Sequence, residues 1–243
     1  MSQADAVISV MELNGGYATL GFLYEHADVS DWKTKTPFAS IRRIVQDKRY
    51  FFNIKPGLWA LKSRKSDVLK LFDIEGKAKE QEKEFTHAYY QGLLLEIGSK
   101  EGYETFIPNQ DKNKKYLNRP LSEYSSIKEF YNFTYESIIS KAKTVDVLWF
   151  NKRKYPSAFW EIENTTDFYN SLLKFVELQD FNAQFNIVAD VKRKKEFEDR
   201  IRNSAFSDIK PRVTFKDYSA VSEYHSKVSE LYLVKERFYS YEG

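Results

Sequence analysis

Val145-Asp146-Val147-Leu148-Trp149-Phe150, the loop Asn151-Lys152-Arg153-Lys154-Tyr155-Pro156, and then Ser157-Ala158-Phe159-Trp160-Glu161-Ile162-Glu163-Asn164-Thr165-Thr166 form the stretch on which the reading turns. Two apolar, β-prone runs flank a polar turn, which is the pattern of an antiparallel hairpin. Acids inside such strands are costly unless their charge is compensated, and here there are three. Acids alternating along an edge strand would also produce this pattern, but these sit among Val, Trp, Phe and Ile. If the six-residue loop is symmetric, Phe150 faces Ser157 and every facing pair sums to 307, which sets Asp146 opposite Glu161. Directly opposed side chains have Cβ atoms roughly 5 Å apart, close enough to share one cation. Alternation points Glu161 and Glu163 to one face and Ile162 to the other.

Three converging carboxylates repel one another, and a divalent cation is the simplest remedy. Mg²⁺, with Mn²⁺ as a substitute, suits an all-oxygen donor set. The expected ligands are Asp146, Glu161 and the Ile162 carbonyl, with Glu163 orienting or deprotonating the attacking water. A metal so held serves phosphodiester hydrolysis.

Outward from the hairpin, the order of elements predicts an α/β (α+β) domain with a mixed sheet flanked by helices. Upstream lie a helix over 85–100, a strand over 103–107, a basic loop over 109–119 and a helix over 122–140. Downstream lie a helix from Thr165 or Thr166 to Leu178, a strand over 185–189, a helix over 194–203, a short strand over 212–215 and a closing helix over 219–233. Gln110 and Asp111, just after a strand, border the expected cleft. The aromatic C-terminus (Tyr218, Tyr224, Tyr232, Phe238, Tyr239, Tyr241) is expected to pack the closing helix.

The N-terminal part reads differently. Net charge is only +3 over 243 residues, yet residues 31–70 hold eleven Lys or Arg against three Asp, a local excess of eight. Helices over 4–13 and 20–27, a third starting at Thr36-Pro37, and strands over 50–54 and 58–61 joined by Lys55-Pro56-Gly57 follow the order of a winged helix. A nucleic-acid-facing first domain is expected. Its candidate DNA contacts are Ser40, Arg42 and Arg43 on the third helix, with Lys48, Arg49 and Lys55 toward the backbone. Lys114, Lys115 and Arg153, and the run Lys192-Arg193-Lys194-Lys195, are further phosphate candidates. The expected division is a winged-helix domain over 1–66, a linker over 67–83 and a catalytic domain over 84–243.

On the Thr36-Pro37 start, Ile41, Ile44 and Phe51-Phe52…Gly57-Leu58-Trp59-Ala60-Leu61, residues 3–63 resemble the HARE-HTH group of winged helices, which implies a link to DNA-acting enzymes and to modified bases. Residues 84–215 resemble the PD-(D/E)XK nuclease superfamily, restriction-endonuclease-like in fold: Asp146 matches its Asp, and Glu161-Ile162-Glu163 its acid-x-Lys. Val145 stands where Pro is usual and Glu163 where Lys is usual, although some restriction endonucleases of the superfamily carry Glu there. The helix His87-Ala-Tyr-Tyr-Gln91-Gly92-Leu-Leu-Leu-Glu96-Ile-Gly98 resembles the first core helix, which implies a further acid, Glu96. The Glu-x-Glu-Asn-Thr-Thr run resembles a branch found in restriction-endonuclease-like proteins, and its Thr165 and Thr166 are expected to cap the next helix.

The resemblance implies a Mg²⁺-dependent endonuclease on double-stranded DNA, a homodimer because two strands need two sites, and a cognate methyltransferase as candidate partner. The alternative is a non-catalytic DNA-binding regulator or assembly subunit, which Glu163 in place of Lys favours; a third reading gives the winged helix a protein partner. Zero cysteines exclude thiolate metal sites, and His26, His87 and His225 show no metal-ligand spacing. With neither a membrane-spanning run nor a signal peptide, a cytoplasmic, nucleoid-associated protein is expected.

Overall fold

The computed structural model describes residues 2–74 and 79–240, so Tyr241 and the middle of the expected linker lie outside the described residues. The chain divides into two compact units, Met1–Ala78 with Ser222–Gly243, and Lys79–Val221. Among the described residues no helix is long and apolar enough to cross a membrane.

In the first unit, α1 (Gln3–Leu13) starts at a capping box between Ser2 and Asp5. The strand β1 (Tyr17–Thr19), the helices α2 (Leu20–His26) and α3 (Pro37–Ile44), and the strands β2 (Phe51–Lys55) and β3 (Leu58–Leu61) follow. The three strands form an antiparallel sheet in the order β1-β3-β2. Val7, Met11, Leu23, Phe38, Ile41 and Phe51 form the core beneath them. Helix α4 (Lys65–Leu71) falls where a polar linker was expected to begin, and it buries Val68.

In the second unit, α5 (Lys79–Lys100) is followed by β4 (Glu104–Phe106), the small hairpin β5 (Lys115–Tyr116) and β6 (Arg119–Pro120), and α6 (Glu136–Ala142). Then come β7 (Val147–Phe150), β8 (Pro156–Glu163), α7 (Phe168–Glu177), β9 (Gln184–Ala189), α8 (Lys194–Ile201), β10 (Val213–Asp217) and α9 (Tyr218–Tyr239). The main sheet runs β10-β9-β8-β7-β4. Its β8, β9 and β10 are parallel, while β4, β7 and β8 pair antiparallel, so the expected mixed sheet is present. Helices flank it on both faces: α5 packs against β4, β7 and β8, with Trp149 Nε1 donating to the Leu94 carbonyl. On the opposite face α7 presents Phe168, Leu172 and Phe175 to a core that includes Phe159, Phe185 and Ile187.

Three local expectations change. The helix expected over 122–140 is confined to α6. Residues 125–127 instead bond to Thr105 on β4, with the Ile127 amide 3.0 Å from its carbonyl, and Phe130 and Phe133 pack around Phe150. Sheet-edge hydrogen bonds and ring burial outweigh the helical pattern there. The cap of α7 is Asp167, not Thr165 or Thr166. From Ser222 onward α9 clusters with the first unit. Gly21 lets Ser229 and His225 approach closely, and the Ser222 hydroxyl donates to the Pro56 carbonyl at 2.7 Å.

One glycine sets the position of the loop beside the cleft. Gly92 on α5 lies against the ring of Tyr116, and a methyl group there would overlap that ring. Gly92→Ala is therefore expected to cost about 1–3 kcal/mol through overpacking. Thermal melts of the purified variant check this, and an unchanged midpoint would show that β5 is free to shift.

Candidate active site

The hairpin register is set by the pairs Val147↔Trp160, Leu148↔Phe159 and Trp149↔Ala158. These pairs sum to 307, and continuing the ladder one step beyond β7 brings Asp146 across from Glu161. At the other end a bulge pairs Phe150 with Pro156 rather than Ser157, because the turn is one residue tighter than a symmetric loop. Lys154 takes a left-handed conformation there (φ 64°), and the Asn151 side chain accepts from the Arg153 and Tyr155 amides.

Asp146, Glu161 and Glu163 are all buried and line one cleft of about 630 Å³ with Ile162, Ser171 and Lys174. Asp146 Oδ2 accepts the Ile162 amide at 2.7 Å, which ties the start of β7 to β8. Its Oδ1 faces His87 Nε2 on α5 at 3.5 Å. From the other face, α7 aims Ser171 and Lys174 into the cleft, a pair that (i, i+3) spacing sets on one side of a helix. Lys174 Nζ lies 2.8 and 3.0 Å from the Glu161 carboxylate oxygens and 3.0 Å from the Thr144 carbonyl. Ser171 Oγ contacts Glu161 Oε2 at 3.0 Å and also Glu163 Oε1, so one hydroxyl proton serves two carboxyl groups. Glu163 Oε2 accepts from Thr166, and Arg193 clamps the turn by donating to the carbonyls of Glu163 (3.0 Å) and Thr166 (2.6 Å).

Burial pushes the Glu161 carboxyl up to about 8, with Asp146 adding repulsion and Lys174 only partly offsetting both. Burial likewise raises Glu163 against the hydrogen bonds from Ser171 and Thr166. Asp146 is also disfavoured as an anion by burial, yet His87, the Ile162 amide and Lys174 hold it below its ordinary value. Lys174 and His87 are both raised: burial opposes their charge, and the facing carboxylates outweigh it. The donor set is thus a group of crowded, desolvated carboxylates with the Lys174 ammonium set against Glu161. Those oxygens fit a hard divalent cation, which would relieve repulsion that Lys174 does not cancel.

Not every expected site residue lies here. Glu96 does not line this cleft: it accepts from Tyr116 at 3.3 Å. On a helix with 3.6 residues per turn, the five positions from Gln91 to Glu96 rotate the side chain to another face. The α5 side chains lining the cleft include Glu80, Glu84 and His87. Arg42 is committed within the first unit, donating to Glu230 (3.1 Å) and to the Tyr24 hydroxyl (3.0 Å). Arg49 is tied to Asp47, the Ser40 hydroxyl to the Thr36 carbonyl, and Lys114 to Asp111 at 2.7 Å. Arg193, within a run expected to face phosphate, turns inward over Phe168. Arg43, Lys48, Lys115 and Arg153 are exposed, and Lys55 is half-buried on β2. Sequence reasoning missed Lys174 and His87. Lys174 had a readable signal, the Ser171-x-x-Lys174 spacing on the helix after the acidic strand; His87 had only its place four residues before Gln91.

A family model described as the type II restriction enzyme NmeDI C-terminal domain matches residues 70–240, more than half of the chain. The chain belongs to that family. Among curated proteins it is similar to the type II restriction enzyme NmeDI of Neisseria meningitidis serogroup C, at 26% identity over 151 residues. That match takes in 58% of this chain and 42% of the relative, so less than half of the relative's length is spanned. No solved structure matches.

In the metal-free protein the raised Glu161 carboxyl ties stability to pH. A folded value of about 8 against an ordinary 4.5 means that the folded state holds the proton more tightly between those limits. The Glu161 contribution to stability is therefore complete below about pH 4.5 and is lost as pH rises through about 8. In chelator, the melting midpoint of Glu161→Gln should rise relative to the parent as pH increases across that window. A difference that stays flat or falls with pH would show Glu161 to be ionised at little cost.

Proposed function

We propose that this chain is a metal-dependent DNA endonuclease of the restriction type, with a PD-(D/E)XK-like core in the second unit. The observation that carries the reading is the convergence of Asp146, Glu161, Glu163 and Lys174 in one cleft of a chain that belongs to a type II restriction enzyme family. Asp146, Glu161 and the Ile162 carbonyl hold Mg²⁺, or Mn²⁺ in its place. When bound, the ion lowers the pKa of water and neutralises charge at the scissile phosphate. Glu163 accepts the proton of the attacking water, a task to which its raised affinity for protons is suited. Lys174 supplies the positive charge missing from position 163 and donates to a phosphate oxygen from the α7 side. Ser171 and Arg193 keep the two glutamates in place. The rival reading, a DNA-binding subunit without catalysis, drew its support from Glu163 standing where Lys is usual; the ammonium of Lys174 against Glu161 weakens that support.

The proposal extends to the first unit as a winged-helix DNA reader, supported by the order α1-β1-α2-α3-β2-β3 and its basic surface. Its exposed Arg43 and Lys48 contact phosphate or groove edges, and Lys55 extends this along the wing, whereas Arg42 is structural. Double-stranded DNA is the substrate, with modified bases as the candidate determinant and a cognate methyltransferase as partner. A homodimer follows from the need to cut two strands.

Two sets of variants test these roles. Asp146→Asn and Glu161→Gln should each lower Mg²⁺-dependent plasmid cleavage by roughly 10³-fold, and Lys174→Met by about 10²-fold, with circular dichroism unchanged. Parental cleavage by a folded Asp146 or Glu161 variant would refute the active-site assignment. For the reader, Arg43→Ala and Lys48→Ala should each reduce the salt slope of DNA binding by about one. Arg42→Ala should instead lower the melting midpoint, because it removes the hydrogen bonds that Arg42 donates to Glu230 and to the Tyr24 hydroxyl and leaves Glu230 with Lys227 alone as its ion-pair partner among the described residues. Fluorescence anisotropy across a salt series separates these outcomes, and a slope change confined to Arg42→Ala would reverse the assignment.

A further inference from the structure

We propose a second divalent-cation site on the α5 side of Asp146, built from the His87 imidazole, the Asp111 carboxylate and Asp146 Oδ1, and selective for first-row transition metals over Mg²⁺. One potential ligand atom from each of the three residues lies within 4.8 Å of the other two. A cation with bonds of roughly 2.0–2.2 Å would draw them together through small side-chain rotations. The two oxygens of Asp146 divide their work: Oδ2 is fixed by the Ile162 amide, while Oδ1 faces His87. The 3.5 Å separation of that oxygen from His87 Nε2 is long for a direct hydrogen bond, and it is close to the spacing of two ligands on one ion.

An independent observation lies beside the cluster. Gln91, fully buried, donates through Nε2 to Asp111 Oδ2 at 2.8 Å and to the Asp146 carbonyl at 3.1 Å. Its Oε1, on the same amide, is buried without a hydrogen-bond partner among the described residues. Buried carbonyl oxygens are ordinarily satisfied, and a water carried by a cation at this position would donate to it. The cluster has an entry path, since His87, Asp146 and Lys114 line the cleft. Lys114, which pairs with Asp111 at 2.7 Å, balances that buried charge until a cation replaces it.

The donor set decides the metal. Glu161 and the Ile162 carbonyl offer oxygen alone, whereas this side adds an imidazole nitrogen, which favours Mn²⁺, Co²⁺ or Zn²⁺ over strongly hydrated Mg²⁺. Asp146 would then be shared by two cations of different character. Cation binding here is measured without DNA and so is read apart from cleavage.

The test is calorimetric titration of the full chelator-treated chain with Co²⁺ and with Mg²⁺ at about pH 8, repeated at higher pH because the facing carboxylates raise His87 above an ordinary imidazole. Nuclear magnetic resonance of the Co²⁺-loaded chain would detect a shifted imidazole N–H signal. Expected are Co²⁺ binding at least about tenfold tighter than Mg²⁺, and a loss of at least about tenfold in folded His87→Gln and Asp111→Asn. Glu161→Gln should keep Co²⁺ affinity within about threefold and keep the shifted signal. A smaller loss in either ligand variant, a larger one in Glu161→Gln, or a signal that survives His87→Gln overturns the site. If the parent binds Co²⁺ as expected but cuts no DNA, the nuclease reading fails while this site stands.

Discussion

Burying carboxylates against their own repulsion is the constraint around which the second unit is organised. Asp146, Glu161 and Glu163 leave water together, and desolvation of this kind costs far more than a surface charge. The chain offsets it locally, with one ammonium from α7, one amide from β8 and two hydroxyls from Ser171 and Thr166. None of these contacts is independent of the sheet. A slip of one residue between β7 and β8 would invert every side chain of the shifted strand relative to the core.

Asp146 lies at the meeting point of three layers. Through Oδ2 it belongs to the sheet, through Oδ1 to α5, and through its electrostatic coupling to Glu161 and Lys174 to the α7 side. This is why a cleft opens at the strand ends rather than along a sheet face. The helices α5 and α7 cover opposite faces, and at the start of β7 His87 from one and Lys174 from the other act on the same carboxylate. The first unit solves a similar problem at lower cost: Arg42 and Glu230 are each only partly exposed and neutralise one another where α9 packs with α3.

Particular residues show where linear reasoning worked and where it stopped. The acidic hairpin was legible because strand periodicity is short and pairing depends on a local turn; even with the turn one residue tighter, the pairs next to the acids kept their register. Glu96 was misplaced because resemblance alone located it, whereas helical rotation sends it toward Tyr116. The segment over 124–135 looked helical, but its aromatic residues are used to cover β4 and β7. Lys174 went unassigned although it follows Glu161 by only thirteen positions, since a helical turn and a return over the sheet lie between them.

The amino-acid sequence by itself determined the alternation of strands and helices, the mixed sheet, and the facing of Asp146 and Glu161, all of which follow from periodicities of two and 3.6 and from one short loop. Only the tertiary structure decided which cation answers those acids, which face of α5 reaches them, and that the basic residue Arg42 is spent on Glu230. The physical reason is range. Periodicity is a local property of the backbone, whereas compensation of a buried charge depends on whatever side chains packing brings within a few ångströms, at any separation along the chain.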